Sequence, residues 1–371
     1  MDRQIDNDYI NNKFVTSIIE GIHDWVRVID KDNNVLYVNS SMTKELKRDT
    51  VGEKCYQSVG RKSPCANCIS RMAVFDGKIN QKEEVINGRI FSVVSSPVRE
   101  DDGSISAVVE VLRDITETKN LNRKISEQNK ILMNDIAMAK KLEFSLLPKG
   151  FVHDKLKFWY KYLPSEEIGG DFLSVFNIDE SHVGIYIADV SGHGLPASIL
   201  TVFINSGLSR RVLSPSLALE ELYRRFNDAK FSSDLYITVF YAIIDTDNYT
   251  MTYTNSGHNV SPVIANDNRL EILLSPGIPI CNWLNEPNYT DKTVNLLSGD
   301  RILLCTDGLI ELKNNKNEQF GEKSLIDVLS RNNGTPEEII EEIFIDARKF
   351  MNVNKIKDMA DDITLAILKL K

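Results

Sequence analysis

The chain has 371 residues, which predicts two domains and a connector rather than a single domain. Its formal net charge is −9, from 44 basic and 53 acidic residues without a long basic run, so nucleic acid is an unfavourable partner. Residues 1–10 lack the layout of a signal peptide, and no apolar stretch reaches the roughly 18 residues of a membrane span, so we expect a cytoplasmic protein with reduced cysteines.

Residues 1–116 predict a first α+β domain of antiparallel strands with helices between the pairs. VRVIDKDNNVLYVN, residues 26–39, is typical of two strands joined by a turn at Asp32-Asn33-Asn34. Two longer strands are predicted within 89–116, where Asp101-Asp102-Gly103 supplies the turn.

Three cysteines in this first domain, Cys55, Cys65 and Cys68, have the spacing C-x9-C-x2-C. Thiolates at this spacing are candidate ligands of zinc or of an iron–sulfur cluster, with His23 as a possible fourth ligand. A second interpretation is a redox switch between Cys65 and Cys68. The third is that the cysteines have no functional role, and the sequence leaves all three open.

Residues 117–147 contain no proline or glycine and predict a long linker helix. Apolar residues recur every seven positions at one position of the heptad. The second, companion position of the heptad is apolar twice, and polar residues, Gln128 and Asp135, occupy it in the two heptads between. The repeating residues are Ile125, Leu132, Ala139 and Leu146, with Leu121 and Leu142 at the companion position. This imperfect heptad predicts a coiled coil and hence a homodimer, whereas the alternative is a solvated helix lying on its own domain.

Residues 148–371 predict a second α+β domain, a layered sandwich, because strands occur in hairpins and helices are grouped apart from them. Predicted strands include HVGIYIADV (182–190), DLYITVFYAIID (234–245) and DDITLAILKL (361–370). Thr335, followed by Pro336 and Glu338, predicts a helix that begins with a capping box.

Aspartates in this second domain lie where predicted strands begin or end, several beside glycine: Asp171, Asp189, Asp307 and the pair Asp361-Asp362. Carboxylates at strand ends can meet at one edge of a sheet, where their mutual repulsion calls for cations. An oxygen-only ligand set suits two Mg²⁺ or Mn²⁺ ions, which can activate a water molecule and neutralise phosphate oxygens. The residues alone therefore indicate a divalent-metal hydrolase that acts on a phosphoryl group, although each aspartate by itself is also a common turn residue.

Seven motifs of this domain occur in the order of the PPM-type serine/threonine phosphatases. They are GGDF, IADVSGHGLPAS, YITVFYAIID, YTNSGHN, ILLCTDGLIE, QFGEKSL and DDITLAILK. The domain resembles most the RsbU/SpoIIE group, which dephosphorylates antagonists of anti-sigma factors. The resemblance implies an αββα sandwich, two Mn²⁺ or Mg²⁺ ions, and a phosphorylated STAS-type anti-sigma-factor antagonist as the partner protein.

By the same resemblance, Asp189 would bridge both metals and the carbonyl of Val190 would add a ligand. Asp171 would bind directly or through water, and Asp307 and Asp361 would hold the second metal, with Asp362 as the alternative to Asp361. We expect Asp189 and Asp307 to be catalytic.

Two histidines of the second domain lie within these motifs. His193 is a candidate proton donor to the leaving alkoxide, weighed against a structural role in its glycine loop. We interpret His258 as a structural residue of a hairpin.

Residues 10–116 resemble a PAS domain, on VIDKDNNVLYVNSSM, VGEKCYQSVG and the closing VLRDIT. The sequence thus predicts a PAS sensor (1–116), a linker helix (117–147) and a phosphatase domain (148–371) that the sensor regulates through the helix. A diguanylate cyclase, for which GGDF is a partial motif, and a non-catalytic signalling scaffold are the alternatives.

Overall fold

The computed structural model describes residues 13–192, 194–283, 287–356 and 359–371. The chain forms two compact units, residues 1–131 and 132–371, and the boundary falls inside one long helix. Within the described ranges, no helix combines the length and the apolar character needed to cross a membrane.

The first unit contains a five-stranded antiparallel sheet in the order β2-β1-β5-β4-β3. Its strands are β1 (Trp25–Asp30), β2 (Val35–Val38), β3 (Asn80–Ile86), β4 (Arg89–Arg99) and β5 (Ile105–Asp114). Its helices are α1 (residues 13–20), α2 (Ser40–Leu46), α3 (Cys55–Ser58) and α4 (Ile69–Asp76). The predicted hairpins of the first domain are confirmed.

The turn between β1 and β2 is closed by backbone hydrogen bonds between Asp30 and residues 33 and 34, and a carboxylate adds further bonds. The side chain of Asp30 accepts hydrogen bonds from the backbone N–H of Asp32 (2.9 Å) and of Asn34 (2.7 Å). Asn33 adopts a φ of 65°, a conformation that asparagine tolerates better than most residues. The two strands are thereby set in register against the core of the unit.

A buried ion pair crosses this sheet between β1 and β5. Arg27 donates through Nε (2.7 Å) and Nη2 (2.6 Å) to Oε2 of Glu110, and both side chains are nearly inaccessible to solvent. The other oxygen of Glu110 accepts hydrogen bonds from Ser70 and Ser95. Burial opposes the charged carboxylate, but Arg27 and the hydroxyls more than compensate and hold the pKa of Glu110 below its ordinary value.

The predicted linker helix is present as α5 (Thr116–Leu146). Its heptad residues are largely exposed on the single chain, with Ile125 and Leu132 each 53% accessible. Only Glu143, near the end of the helix, is buried within it. The coiled coil itself stays a prediction.

The second unit contains two five-stranded antiparallel sheets. The first has the order β13-β10-β9-β8-β7, and the second has the order β12-β11-β14-β15-β6. The strands are β6 (Leu156–Leu163), β7 (Phe172–Asn177), β8 (His182–Val190), β9 (Ile237–Asp245), β10 (Thr250–Ser256), β11 (Val263–Asn266), β12 (Arg269–Ile272), β13 (Lys292–Asn295), β14 (Arg301–Cys305) and β15 (Ile363–Leu370).

Five helices follow α5 in the described residues of the second unit. They are α6 (Leu195–Gly207), α7 (Pro215–Asp228), α8 (Asp307–Ile310), α9 (Gly321–Arg331) and α10 (Pro336–Met351). The predicted capping box of α10 is confirmed, because Thr335 accepts from the N–H of Glu338 while the Glu338 carboxylate accepts from the N–H of Thr335.

The cores of the second unit show how its layers stack. One cluster joins side chains of the two sheets, such as Ile185 and Phe240 with Leu304 and Ala366. A second cluster packs α6 and α7 onto the outer face of the first sheet, and a third packs α9 and α10 onto the outer face of the second. The predicted αββα sandwich is confirmed.

We predict that replacing Glu110 by glutamine destabilises the first unit by about 3–5 kcal/mol, because Arg27 is then a buried charge without a counter-ion. The measurement is denaturant-induced unfolding of the full chain, followed by a signal from the first unit such as Trp25 fluorescence. Arg48→Gln, which breaks an exposed pair with Glu53, serves as the control and should cost no more than about 1 kcal/mol. Equal effects of the two variants would contradict the prediction.

Candidate active site

The register of the first sheet brings Asp171 next to Asp189. Asp171 immediately precedes β7, and Asp189 is the penultimate residue of β8. Because the strands are antiparallel, the start of β7 lies beside the end of β8, with Phe172 opposite Ala188. Two carboxylates that are 18 positions apart in sequence therefore meet at one end of the sheet.

The second sheet repeats this arrangement with β14 and β15. Cys305, the last residue of β14, is paired with Leu365, so Asp307 just after β14 lies beside Asp361 just before β15. Gly308 allows this approach, since a Cβ at that position would lie 2.0 Å from the carbonyl oxygen of Asp362.

Two threonines connect the sheets at the carboxylate cluster. Oδ2 of the buried Asp171 accepts hydrogen bonds from Oγ1 of Thr306 and from Oγ1 of Thr364, each at 2.7 Å. Both threonines belong to the second sheet's segments around Asp307 and Asp361. Asp171 is thus held in one orientation with its other oxygen left for a further ligand.

Asp361 and Asp362 have different surroundings, although they are adjacent in sequence. Oδ1 of Asp362 accepts from the backbone N–H (2.6 Å) and hydroxyl (2.9 Å) of Ser165, and Oδ2 accepts from the N–H of Gly170 (2.5 Å). Asp362 is 3% exposed, whereas Asp361 is accessible to solvent. Asp362 therefore orders the loop that carries Asp171, and Asp361 has the freer carboxylate.

The carboxylates perturb one another strongly. Burial, together with the charges of Asp307, Asp361 and Asp362, raises the pKa of Asp189 to about 8. Burial and the charges of Asp189 and Asp362 raise the pKa of Asp171 well above its ordinary value, against the two threonine hydrogen bonds. Burial is also the largest cause of the raised pKa of Asp361. These carboxylates are close enough to interact and lack neutralising charge.

This donor set fits hard divalent cations. All the side-chain donors are carboxylate oxygens, which Mg²⁺ and Mn²⁺ prefer, and their mutual repulsion is the kind that bound cations relieve. In the described part of the chain, no three Asp, Glu, His or Cys side chains already form a group that could hold one ion together. Water and backbone oxygen are expected to complete such a site.

The loop after β8 brings backbone oxygen to the cluster. A Cβ on Gly170 would lie 2.9 Å from the carbonyl oxygen of Val190 and 3.1 Å from that of Gly192, so only glycine permits this approach. Gly192 and Gly194 have φ values of 86° and 74°, and Gly194 caps α6. His193, the candidate proton donor, lies outside the described residues.

Several residues of the site were not predicted from the sequence. Besides Thr306 and Thr364, Asn259 donates from Nδ2 to Oδ2 of Asp307 at 2.6 Å. A signal was available for the threonines, because Thr306 immediately precedes Asp307 and Thr364 follows Asp362 by two positions, at or near a buried strand. His258 is buried, and Nε2 lies 3.0 Å from the carbonyl oxygen of Cys305, which fits the structural role that we expected.

Glu143, near the end of α5, is hydrogen-bonded to the loop that carries Asp171. Its Oε1 accepts hydrogen bonds from the hydroxyl of Tyr162 and from the N–H of Gly169 (3.3 Å), two residues before Asp171. Its Oε2 is buried and has no hydrogen-bond partner among the described residues. Burial raises the pKa of Glu143. The end of the linker helix is therefore bound directly to the backbone that carries a candidate ligand.

The three cysteines of the first unit line one cavity of about 400 Å³. Cys55 is buried at the start of α3, whereas Cys65 and Cys68 are partly exposed in the loop before α4. His23, the possible fourth ligand, is an exposed residue of the segment before β1.

Comparison with known proteins identifies both parts of the chain. The sequence model for "Stage II sporulation protein E (SpoIIE)" matches residues 179–371, just over half of the chain, and the model for "PAS fold" matches residues 19–120. GGDF, which is also a partial motif of a diguanylate cyclase, lies at residues 169–172. These residues belong to the loop of Asp171, which Asp362 orders.

Two curated relatives come from Bacillus subtilis (strain 168). Phosphoserine phosphatase RsbP is 28% identical over 185 residues, covering 48% of this chain and 45% of the relative. Phosphoserine phosphatase RsbU is 26% identical over 215 residues, covering 56% and 62%. This chain thus spans less than two thirds of the length of either relative.

Two solved structures share the fold. The SiaA-PP2C domain of Pseudomonas aeruginosa has a TM-score of 0.58 at 17% identity, covering 66% of this chain and 99% of that one. The PP2C phosphatase domain of SpoIIE from Bacillus subtilis, with a fragment of its regulatory domain, has a TM-score of 0.50 at 13% identity, covering 84% and 76%. The chain belongs to the SpoIIE family, whose PP2C-type fold here follows an N-terminal PAS fold.

Proposed function

We propose that the chain is a metal-dependent serine/threonine phosphoprotein phosphatase. The observation that carries the proposal is the meeting of Asp171, Asp189, Asp307 and Asp361 at one edge of the αββα sandwich, where burial and neighbouring carboxylates raise the pKa values of Asp171, Asp189 and Asp361. The fold is that of PP2C-type phosphatases, and both curated relatives bear the name phosphoserine phosphatase. Phosphoester hydrolysis is the chemistry that this site suits best.

The residues of the site divide into ligands and positioning groups. Asp189, the carbonyl of Val190, Asp171, Asp307 and Asp361 would hold two Mn²⁺ or Mg²⁺ ions. When bound, these ions supply an activated water as nucleophile and neutralise the phosphate oxygens.

The positioning groups orient the candidate ligands through hydrogen bonds within the chain itself. Thr306 and Thr364 orient Asp171, Asn259 orients Asp307, and Asp362 fixes the backbone of Gly170. The leaving serine or threonine oxygen needs a proton, for which His193 is the candidate donor.

We propose as the substrate a phosphorylated STAS-type antagonist of an anti-sigma factor. The support is the order of the seven motifs, which resembles the RsbU/SpoIIE group, together with the two phosphoserine phosphatases among the relatives. A small phosphoprotein that copurifies with the chain and loses its phosphate on incubation with Mn²⁺ would identify this partner.

We propose further that the PAS unit controls the phosphatase through α5. Helix α5 begins two residues after β5 of the PAS sheet, and its last turns carry Glu143, which is hydrogen-bonded to the backbone of Gly169. The exposed heptad face of α5 supports a homodimer as the unit that transmits the signal. A signal that shifts this helix would move the loop of Asp171.

We predict that Asp189→Asn and Asp307→Asn each lower the rate of phosphoester hydrolysis by at least about 100-fold, because each removes a metal ligand. Thr306→Val and Thr364→Val should cost about 10–100-fold, since they only release Asp171. The assay uses the full chain with a generic aryl phosphate and added Mn²⁺. Asp327→Asn, on the exposed face of α9, is the matched control, and a loss there as large as at Asp189 would contradict the assignment.

We predict that the metal-stripped chain loses stability as the pH rises. The pKa of Asp189 is raised from 3.8 to about 8, so the folded chain keeps a proton that the unfolded chain releases between these values. The stabilisation is complete below the lower pKa and is lost as the pH passes through about 8. Chemical unfolding with a chelator present, from about pH 6 to pH 9, measures the effect.

The control for this pH dependence is Asp189→Asn, which cannot ionise and should make the profile less steep, while Asp171 and Asp361 still contribute. Excess Mn²⁺ should restore the stability of the wild-type chain at high pH, because it binds the folded state. Identical profiles for the stripped wild-type and Asp189→Asn chains would rule out Asp189 as the source.

We predict that Ile125→Lys and Leu132→Lys, as single variants, each convert a dimer into monomers, because the substituted lysines of the two copies then face each other in the seam. Analytical ultracentrifugation of the full chain measures the change in mass. Asn134→Lys, outside the seam on the same helix, adds the same charge and should leave the dimer intact. A wild-type chain that sediments as a monomer at all concentrations would refute the coiled coil.

A further inference from the structure

Cys65 lies within a network of charged side chains in the PAS unit. Nη1 of Arg61 donates a hydrogen bond to its Sγ at 3.5 Å. Glu84 forms ion pairs with Arg61 at 2.6 Å and with Lys82 at 2.7 Å, and it accepts a long hydrogen bond from Sγ of Cys65 at 3.8 Å. Arg61, as a cationic donor to this sulfur, is placed to stabilise the negative charge that the sulfur carries when it attacks an oxidant.

Cys68 is the neighbouring thiol, three positions further along the same loop. The chain bends at residues 66 and 67 between the two cysteines, and both side chains line the same solvent-open cavity. The thiol of Cys68 has only a long contact, 4.0 Å, with Oδ1 of Asn33. Cys68 therefore lines the same cavity as Cys65, and its thiol makes no short hydrogen bond to a described residue.

The third thiol, that of Cys55, is poorly suited to react with an oxidant. Cys55 is buried, and burial is the main cause that raises the pKa of its thiol to about 11. It stays protonated at neutral pH and reacts slowly. The candidates for thiol chemistry in this cavity are therefore Cys65 and Cys68.

The loop is connected to the strand that leads into the linker helix. Cys68 is the N-cap residue of α4, and Ser70 in the first turn of α4 donates a hydrogen bond to Glu110 on β5. Strand β5 ends at Asp114, two residues before α5 begins. A change at Cys68 therefore reaches β5 through one turn of helix and one hydrogen bond.

We propose that Cys65 and Cys68 form a hydroperoxide-sensitive dithiol whose oxidation is transmitted to β5. The thiolate of Cys65 attacks the peroxide O–O bond, gives a sulfenic acid and releases water or an alcohol. The thiol of Cys68 then displaces the hydroxyl as a second water, and the S–S bond forms. Two electrons pass from the two sulfurs to the peroxide, and a thiol reductant reverses the step.

The test treats the full chain with hydrogen peroxide, blocks the remaining thiols and maps the tryptic peptides. Cleavage after Lys62 and Arg71 isolates both cysteines in residues 63–71, while Cys55 falls in residues 55–61. We expect peptide 63–71 to lose two hydrogen atoms and to regain them with dithiothreitol. Peptide 55–61 should stay reduced.

Serine variants separate the roles of the thiols. Cys68→Ser should stop at a sulfenic acid on Cys65 that dimedone traps, Cys65→Ser should lose all peroxide-dependent change in this peptide, and Cys55→Ser should behave as the wild type. Amide hydrogen exchange over residues 105–114 should increase in the oxidised wild-type chain and not in Cys65→Ser.

Three results would overturn the proposal. A disulfide between peptides 55–61 and 63–71 would assign the chemistry to Cys55. Stoichiometric zinc or iron in the purified chain, protecting all three thiols from labelling, would establish a metal site. A Cys65–Cys68 disulfide without any change in exchange over residues 105–114 would disprove the connection to β5. None of these readouts depends on phosphatase activity.

Discussion

The second unit is organised around the repulsion between carboxylates that its own fold forces together. Burial and neighbouring negative charges raise the pKa of Asp189 to about 8, and they raise that of Asp171 as well. Such a cluster is unfavourable for an apo protein at neutral pH, because either protons or cations must compensate it. The sandwich tolerates it because hydrophobic clusters on both faces of each sheet supply stability elsewhere.

Antiparallel pairing explains why so few residues build the site. In each sheet one strand begins beside the end of the neighbouring strand. The pairs β7–β8 and β14–β15 therefore each place two carboxylates at the same edge. Glycine at 170 and 308 removes the side chains that would separate these segments. The threonine hydrogen bonds to Asp171 then join the two edges into one site.

The sequence predicted the fold class and the candidate aspartates, because strand-end carboxylates beside glycine are a local pattern. It did not predict β11, β12 and β13, which have four residues each and little periodicity. It also left Asp361 and Asp362 equivalent, since only tertiary contacts of Asp362 with Ser165 and Gly170 distinguish them. The roles of Glu143 and Asn259 depend in the same way on partners distant in sequence.

Among the described residues, Glu110 of the first unit and Glu143 of the second are buried glutamates that accept hydrogen bonds from hydroxyl groups, and the two differ in how firmly they are held. Glu110 is ionised against Arg27 and satisfied on both oxygens. Glu143 bonds to Tyr162 and Gly169 through one oxygen, its other oxygen lacks a partner among the described residues, and burial raises its pKa. Displacing Glu143 therefore costs less than displacing Glu110, because an unsatisfied buried oxygen gains hydration on release. The attachment of α5 to the loop of Asp171 is thus a contact that a shift of the helix can break.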